Sequence, residues 1–102
     1  MTTEPTDPRP IMRRLWQMSR LDSPTVLARA GVTEDDDPIR YSRLRRVLSG
    51  YLHGSAQEVG ELLSALGLHP GSPIRGEYVR VYLRWANAHA LGILARQHGV
   101  IL

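Results

Sequence analysis

The residues best equipped for chemistry lie in one short stretch, Arg40-Tyr-Ser-Arg-Leu-Arg-Arg-Val-Leu-Ser49. It holds four guanidinium groups, on Arg40, Arg43, Arg45 and Arg46, and two hydroxyls, on Ser42 and Ser49. Guanidinium forks donate in pairs to phosphate oxygens and to the outer edge of guanine, and serine hydroxyls reach phosphates or bases. Tyr41, Leu44, Val47 and Leu48 recur at three- and four-residue steps, so they share one face of a helix. At about 100° per residue, the opposite face carries Ser42, Arg45, Arg46 and Ser49, with Arg40 and Arg43 at its flanks. A helix that buries one side and shows arginine and hydroxyls on the other suits the DNA major groove. The plain alternative is a solvated basic face on an ordinary amphipathic helix.

Other chemistries find less support. There is no cysteine, which excludes disulfides, cysteine-ligated zinc and thiol catalysis and fits a reducing compartment. His53 and His69 fall in turns between helices, with no acid or nucleophile spaced to make either catalytic. Glu34, Asp35, Asp36 and Asp37 form an acidic run. Carboxylates bind hard cations, but this run lacks the alternating ligands and turn glycine of a calcium loop, and it reads as a solvated loop. No acid/base pair, P-loop or dinucleotide fingerprint occurs, so neither an enzyme, a cofactor nor a metal is expected.

The net charge is modest, +3, but all thirteen basic residues are arginine. That favours a nucleic-acid partner weakly, since a GC-rich genome produces the same bias. The chain of 102 residues accommodates one small domain, with 42% apolar residues to supply a core. Its apolar runs are too short for a membrane span, and the N-terminus lacks a secretory signal, so a cytoplasmic protein is expected.

The elements that must position the arginines follow from start and stop signals. Residues 1–9 read as a polar, proline-punctuated, disordered tail. A helix then runs from Pro10 to about Arg20, with Ile11, Leu15 and Met18 as its apolar side and Met12 and Trp16 as further candidates. Ser23 caps a short second helix, Pro24 to about Ala30; Gly31 ends it, and Val32 packs back. Asp37-Pro38 starts the third, which contains the basic stretch. Ser55-Ala-Gln-Glu58 is a capping box, opening a fourth helix with Val59, Leu62, Leu63 and Leu66 inward and Gly67 as its stop. Ser72-Pro73 opens a long fifth helix to about His98.

That last helix has a polar strip of Glu77, Arg80, Arg84 and Asn87, and apolar residues over most of its circumference. An arc this wide predicts burial on two sides, against its own domain and against a second subunit. Tyr78, Val81, Tyr82, Trp85 and Ile93 are the expected dimer contacts. The alternative is a central helix fully buried in one monomer. The apolar tail Val100-Ile-Leu102 is expected to dock rather than stay exposed.

In this order the chain resembles the phage-repressor/Cro family of helix-turn-helix domains, also called the xenobiotic-response-element type. Ser23-Pro-Thr-Val-Leu-Ala-Arg-Ala-Gly-Val32 is similar to the first motif helix of that family. Tyr41 to Gly50, followed by Ser55 to Leu68, resembles its recognition helix, connecting turn and next helix. The likeness covers roughly Ile11 to Leu68. The chain as a whole reads as all-α with five helices: the likeness implies a helix-turn-helix domain of the lambda-repressor-like type over 10–70, and the long fifth helix and tail over 71–102 follow it as the expected dimerisation segment. The likeness also implies that Arg40, Ser42, Arg43, Arg45, Arg46 and Ser49 are DNA contacts. The segment between Gly31 and Tyr41 departs from the family: it is several residues longer, and it is acidic.

The expected function is therefore a homodimeric regulator of transcription, a repressor from a bacterium, phage or plasmid, that binds double-stranded DNA. The alternative is a protein-interaction module on the same scaffold, as in an antitoxin or anti-activator, with another protein as partner. The acidic run favours that second reading.

Overall fold

Prolines and capping side chains open the helices of this chain, and left-handed glycines close most of them. The computed structural model describes residues 7–99. These form α1 (Arg9–Ser19), α2 (Ser23–Arg29), α3 (Pro38–Leu48), α4 (Ala56–Ala65) and α5 (Pro73–Gln97), with no strand among the described residues. Asp37 caps α3 by accepting from the Arg40 amide at 3.1 Å. The capping box of α4 is complete: the Glu58 amide donates to the Ser55 hydroxyl and the Ser55 amide to the Glu58 carboxylate. α2 starts one residue earlier than its sequence suggests. Asp22, not Ser23, is the cap, accepting from the Thr25 amide at 2.9 Å. Ser72 stands at the start of α5 without a capping bond.

α2, α3 and α4 end alike. Gly31, Gly50 and Gly67 take φ of +81°, +83° and +84°. The amide after each then reaches back to the last turn: Val32 to Leu27, Tyr51 to Arg46, Leu68 to Leu63, at 2.9–3.0 Å. This left-handed stop normally brings the residue after the glycine onto the apolar side of the helix. Val32 is buried and Leu68 half-buried, but Tyr51 is 74% exposed.

α3 is the central element. Tyr41, Leu44, Val47 and Leu48 are buried, as their spacing predicts, and α3 packs on α1, α2 and α4. Leu27, Leu44, Leu48, Leu62 and Leu63 are wholly inaccessible and form the middle of the core. The apolar side of α1 is the expected one except at its end: Ile11 packs half-buried on the core, and only Met18 falls outside it. Met12 and Leu15 are buried, with Trp16 half-buried beside them, while Met18 is 65% exposed. The reason is an anchor at the helix end: the Trp16 indole N–H donates to the Leu21 carbonyl at 2.9 Å, fixing which face turns inward.

Asp7, Pro8 and Arg9 belong to the start of α1 and not to a disordered tail. The Arg9 amide donates to the Asp7 carboxylate, and Pro8 is fully buried. Residues 1–6 of the expected tail, and the apolar segment 100–102, lie outside the described residues.

α5 does not stand apart from residues 10–70. Tyr78 is buried in the same core as Met12 and Leu62, and Val79 and Tyr82 pack against that core. Beyond Trp85 the helix leaves it. Leu91 and Leu94 are more than half exposed there, as is Leu83 just before the tryptophan.

Candidate nucleic-acid interface

The four arginines of α3 divide into two pairs with different duties. Arg40 and Arg43 sit on the flank toward α4. The Arg40 Nη2 group donates to Glu61 Oε2 at 2.7 Å. Arg43 forms a two-pronged pair with Glu58, Nε to Oε2 at 2.7 Å and Nη2 to Oε1 at 3.0 Å. The spacing is matched: as the arginine position rises by three, the glutamate position falls by three, so the two helices run antiparallel along this ladder. The Arg43 guanidinium holds the Glu58 carboxyl below its ordinary value, and the bonds from Ser55 add to the effect. Both arginines therefore brace α3 against α4.

Arg45 and Arg46 point away from the core. Both are exposed, and among the described residues neither side chain has a hydrogen bond or ion pair. Ser42 is exposed beside them. Ser49 is half-buried, and its hydroxyl donates to the Arg45 carbonyl at 2.7 Å, so it retains only acceptor capacity.

A third arginine, which sequence reasoning did not assign to this site, joins them. Arg13 of α1 abuts the end of α3: a Cβ placed on Gly50 would lie 3.3 Å from the Arg13 Cβ. Arg13, Gln17, Ser49 and Tyr51 line one open groove. Ser42, Arg45, Arg46 and Tyr51 line the adjoining one, and Trp16 forms the floor shared by both. Arg13 is exposed and, like the other two, unpaired among the described residues. The only hint in the sequence was its place on the polar side of the first helix. The exposed ring of Tyr51 stands in the same groove.

The electrostatics run along α3. Glu34, Asp35, Asp36 and Asp37 are all exposed at its N-terminal end, where negative charge also suits the helix dipole. The acidic segment is a tight local turn, in which the Thr33 hydroxyl donates to Asp36 at 2.8 Å and the Asp37 amide to the Thr33 carbonyl at 3.1 Å. The basic cluster sits at the C-terminal end. Negative charge thus gathers at the Pro38 end of α3 and positive charge at the Ser49 end.

Compared with known proteins, the chain matches no family model, no curated protein and no solved structure.

The expected dimer contacts are placed differently from the sequence reading. Tyr78 and Val81 are 3% and 5% exposed and pack mainly within the protomer. The Tyr82 hydroxyl donates to the Gly54 carbonyl at 2.8 Å, and Trp85 stacks on His53 at 3.8 Å. Of the five, Ile93 alone is exposed. The large apolar side chains that α5 leaves exposed are Ile74, Leu83, Leu91, Ile93 and Leu94. A single wheel cannot separate these groups, because the arc covers both the side α5 turns to its own core and the side it does not.

Among the described residues no three His, Asp or Glu side chains converge as a metal site, and no helix is long and apolar enough to cross a membrane.

Proposed function

We propose that this chain is a DNA-binding regulator, a dimeric repressor of the helix-turn-helix kind acting on double-stranded DNA in the cytoplasm of a bacterium or a phage host. The observation that carries this reading is the division of the arginines. Arg40 and Arg43 are consumed by α4, whereas Arg13, Arg45 and Arg46 form an unpaired cluster on one face with Ser42 and Tyr51. Unpaired guanidinium groups on one rigid face are the means by which a protein grips successive phosphates. The grip centres on the C-terminal half of α3 and the adjoining part of α1. The N-terminal end, where the four carboxylates of the preceding turn stand, is kept clear of the phosphates. Leu91 and Leu94 on the free half of α5, with Leu83 just before it, provide the surface for pairing two copies.

The test is DNA affinity as a function of salt, by fluorescence anisotropy. Each phosphate contact contributes about −0.9 to the slope of log K against log salt. Replacing Arg13, Arg45 and Arg46 with alanine is expected to remove up to three contacts, about 2.7 units of slope. Arg40→Ala is expected to leave the slope unchanged. Absence of DNA retention at low salt sinks the proposal.

The acidic turn at the start of α3 favours a second reading, in which the scaffold binds a basic protein partner through Glu34 to Asp37. In that case charge reversal of the turn abolishes partner capture, and DNA affinity is nil with or without the arginines.

A further inference from the structure

The link between α3 and α4, residues 49–55, carries a histidine that the arginine face does not use. The His53 ring lies flat on Trp85 of α5, with centroids 3.8 Å apart and planes 9° from parallel. His89, one turn further along α5, lies over Trp85 as well, at 5.5 Å and 14°. Trp85 thus sits at the junction where α5 leaves the core. Two further groups fix the geometry of the link there. Gly54 is buried, with its carbonyl held by Tyr82, and a Cβ on it would come within 2.9 Å of Val47.

His53 is half-buried, and its Nδ1 is buried without any hydrogen-bond partner. Its Nε2 faces Asp7 at 3.8 Å. A neutral ring with the proton on Nε2 fits this site, because Nδ1 then presents only a lone pair. Protonation places an N–H on Nδ1 where no acceptor stands, which is the costly way to bury a polar group.

The charged groups around His53 do not offset that cost. Asp7 and Arg9 face it from the start of α1, and His89 from α5. Asp7 is already engaged by Arg9 through Nε at 3.1 Å and Nη2 at 2.7 Å. The attraction of an imidazolium for the indole face opposes release, but it does not hydrate Nδ1.

We propose that His53 is an acid-sensitive latch for α5: neutral, it clasps Trp85 and holds the helix on the α3–α4 link; protonated, it lets Trp85 go and loosens α5 from that point onward. Burial, with Arg9 beside it, holds the His53 pKa below the ordinary 6.5, and Asp7 recovers only part of the shift. The folded pKa is depressed, so the released form binds protons more readily. The contribution of His53 to docking is therefore complete above the ordinary histidine value and is lost as pH falls from there toward the folded pKa. Within that window the ratio of docked to released helix falls about tenfold per pH unit. The functional consequence is that mild acid alters the free half of α5, with Leu91 and Leu94, while α1–α4 keep their fold.

The experiment is a pH titration of the full chain by NMR, following the His53 ring, the Trp85 indole N–H and the α5 amides. The expected result has three parts. His53 titrates below the ordinary histidine value. The Trp85 indole and the amides of 82–97 move together as His53 protonates, and the amides of α1–α4 hold still. In His53→Phe, which stacks but does not titrate, the α5 response disappears. His53 titrating at or above the ordinary value overturns the proposal in the wild-type chain alone. An α5 response that persists in a folded His53→Phe variant also overturns it. Neither outcome depends on DNA binding.

Discussion

Replacing Gly50 by alanine tests the packing that brings Arg13 beside Arg45 and Arg46. Gly50 closes α3 at φ +83°, and a Cβ there would stand 2.9 Å from the Arg9 carbonyl oxygen and 3.3 Å from the Arg13 Cβ. Two costs add. The left-handed backbone costs a non-glycine residue about 1–2 kcal/mol, of which about 0.4–1 returns because alanine restricts the unfolded chain. The contact with a helix backbone cannot be relieved by a rotamer change, so α1 must shift, and overpacking of this kind costs about 1–3 kcal/mol. The sum is about 2–4 kcal/mol, a large part of the stability of a small domain. Gly67 is the internal control. It closes α4 at φ +84°, and a methyl group there would meet no atom within 4 Å, so Gly67→Ala incurs only the backbone part, about 1 kcal/mol. In urea titrations followed by circular dichroism, with m values of about 1–3 kcal/mol/M, the Gly50→Ala midpoint is expected about 1 M below that of Gly67→Ala at equal m. Equal midpoints would refute the close approach of α1 to the end of α3. The rationale for placing Arg13 in the basic face would then fall with it.

Three further outcomes follow from the same contacts. Ser55→Ala removes the hydroxyl half of the α4 capping box and is expected to cost about 1 kcal/mol, seen as a melting point several degrees lower. Glu58 has its carboxyl held low by Arg43, so its contribution is present above the ordinary glutamate value of 4.5 and is lost as pH falls toward the depressed folded value. Glu58→Gln should therefore be less stable at neutral pH and show a flatter acid limb in thermal melts between pH 5 and 3 (about the carboxylate range). Leu91→Glu combined with Leu94→Glu leaves the protomer folded, since both side chains are more than half exposed. Light scattering should then report the 11.5 kDa monomer where the parent chain reports a dimer; a monomeric parent chain would remove α5 as a pairing surface.

The limits of the helices, and the buried face of α3, were legible in the sequence because they depend on interactions within a few residues. Asp37-Pro38 and the Ser55–Glu58 box satisfy orphan amides in the first turn, and Gly31, Gly50 and Gly67 occupy a backbone conformation that side chains resist. Tyr41, Leu44, Val47 and Leu48 share a face whatever packs on it. Which partners meet across the fold was another matter. Nothing local pairs Arg43 with Glu58 or Arg40 with Glu61, so guanidinium groups that read as DNA contacts became struts between helices. The same distance from local rules hid Arg13, which joins the basic face only because Gly50 lets α1 approach. It also hid the clasp of His53 on Trp85, and the assignment of Tyr78 and Val81 to the core. Helical periodicity orders side chains around one axis, and only the packing of several axes decides which of them face protein and which face water.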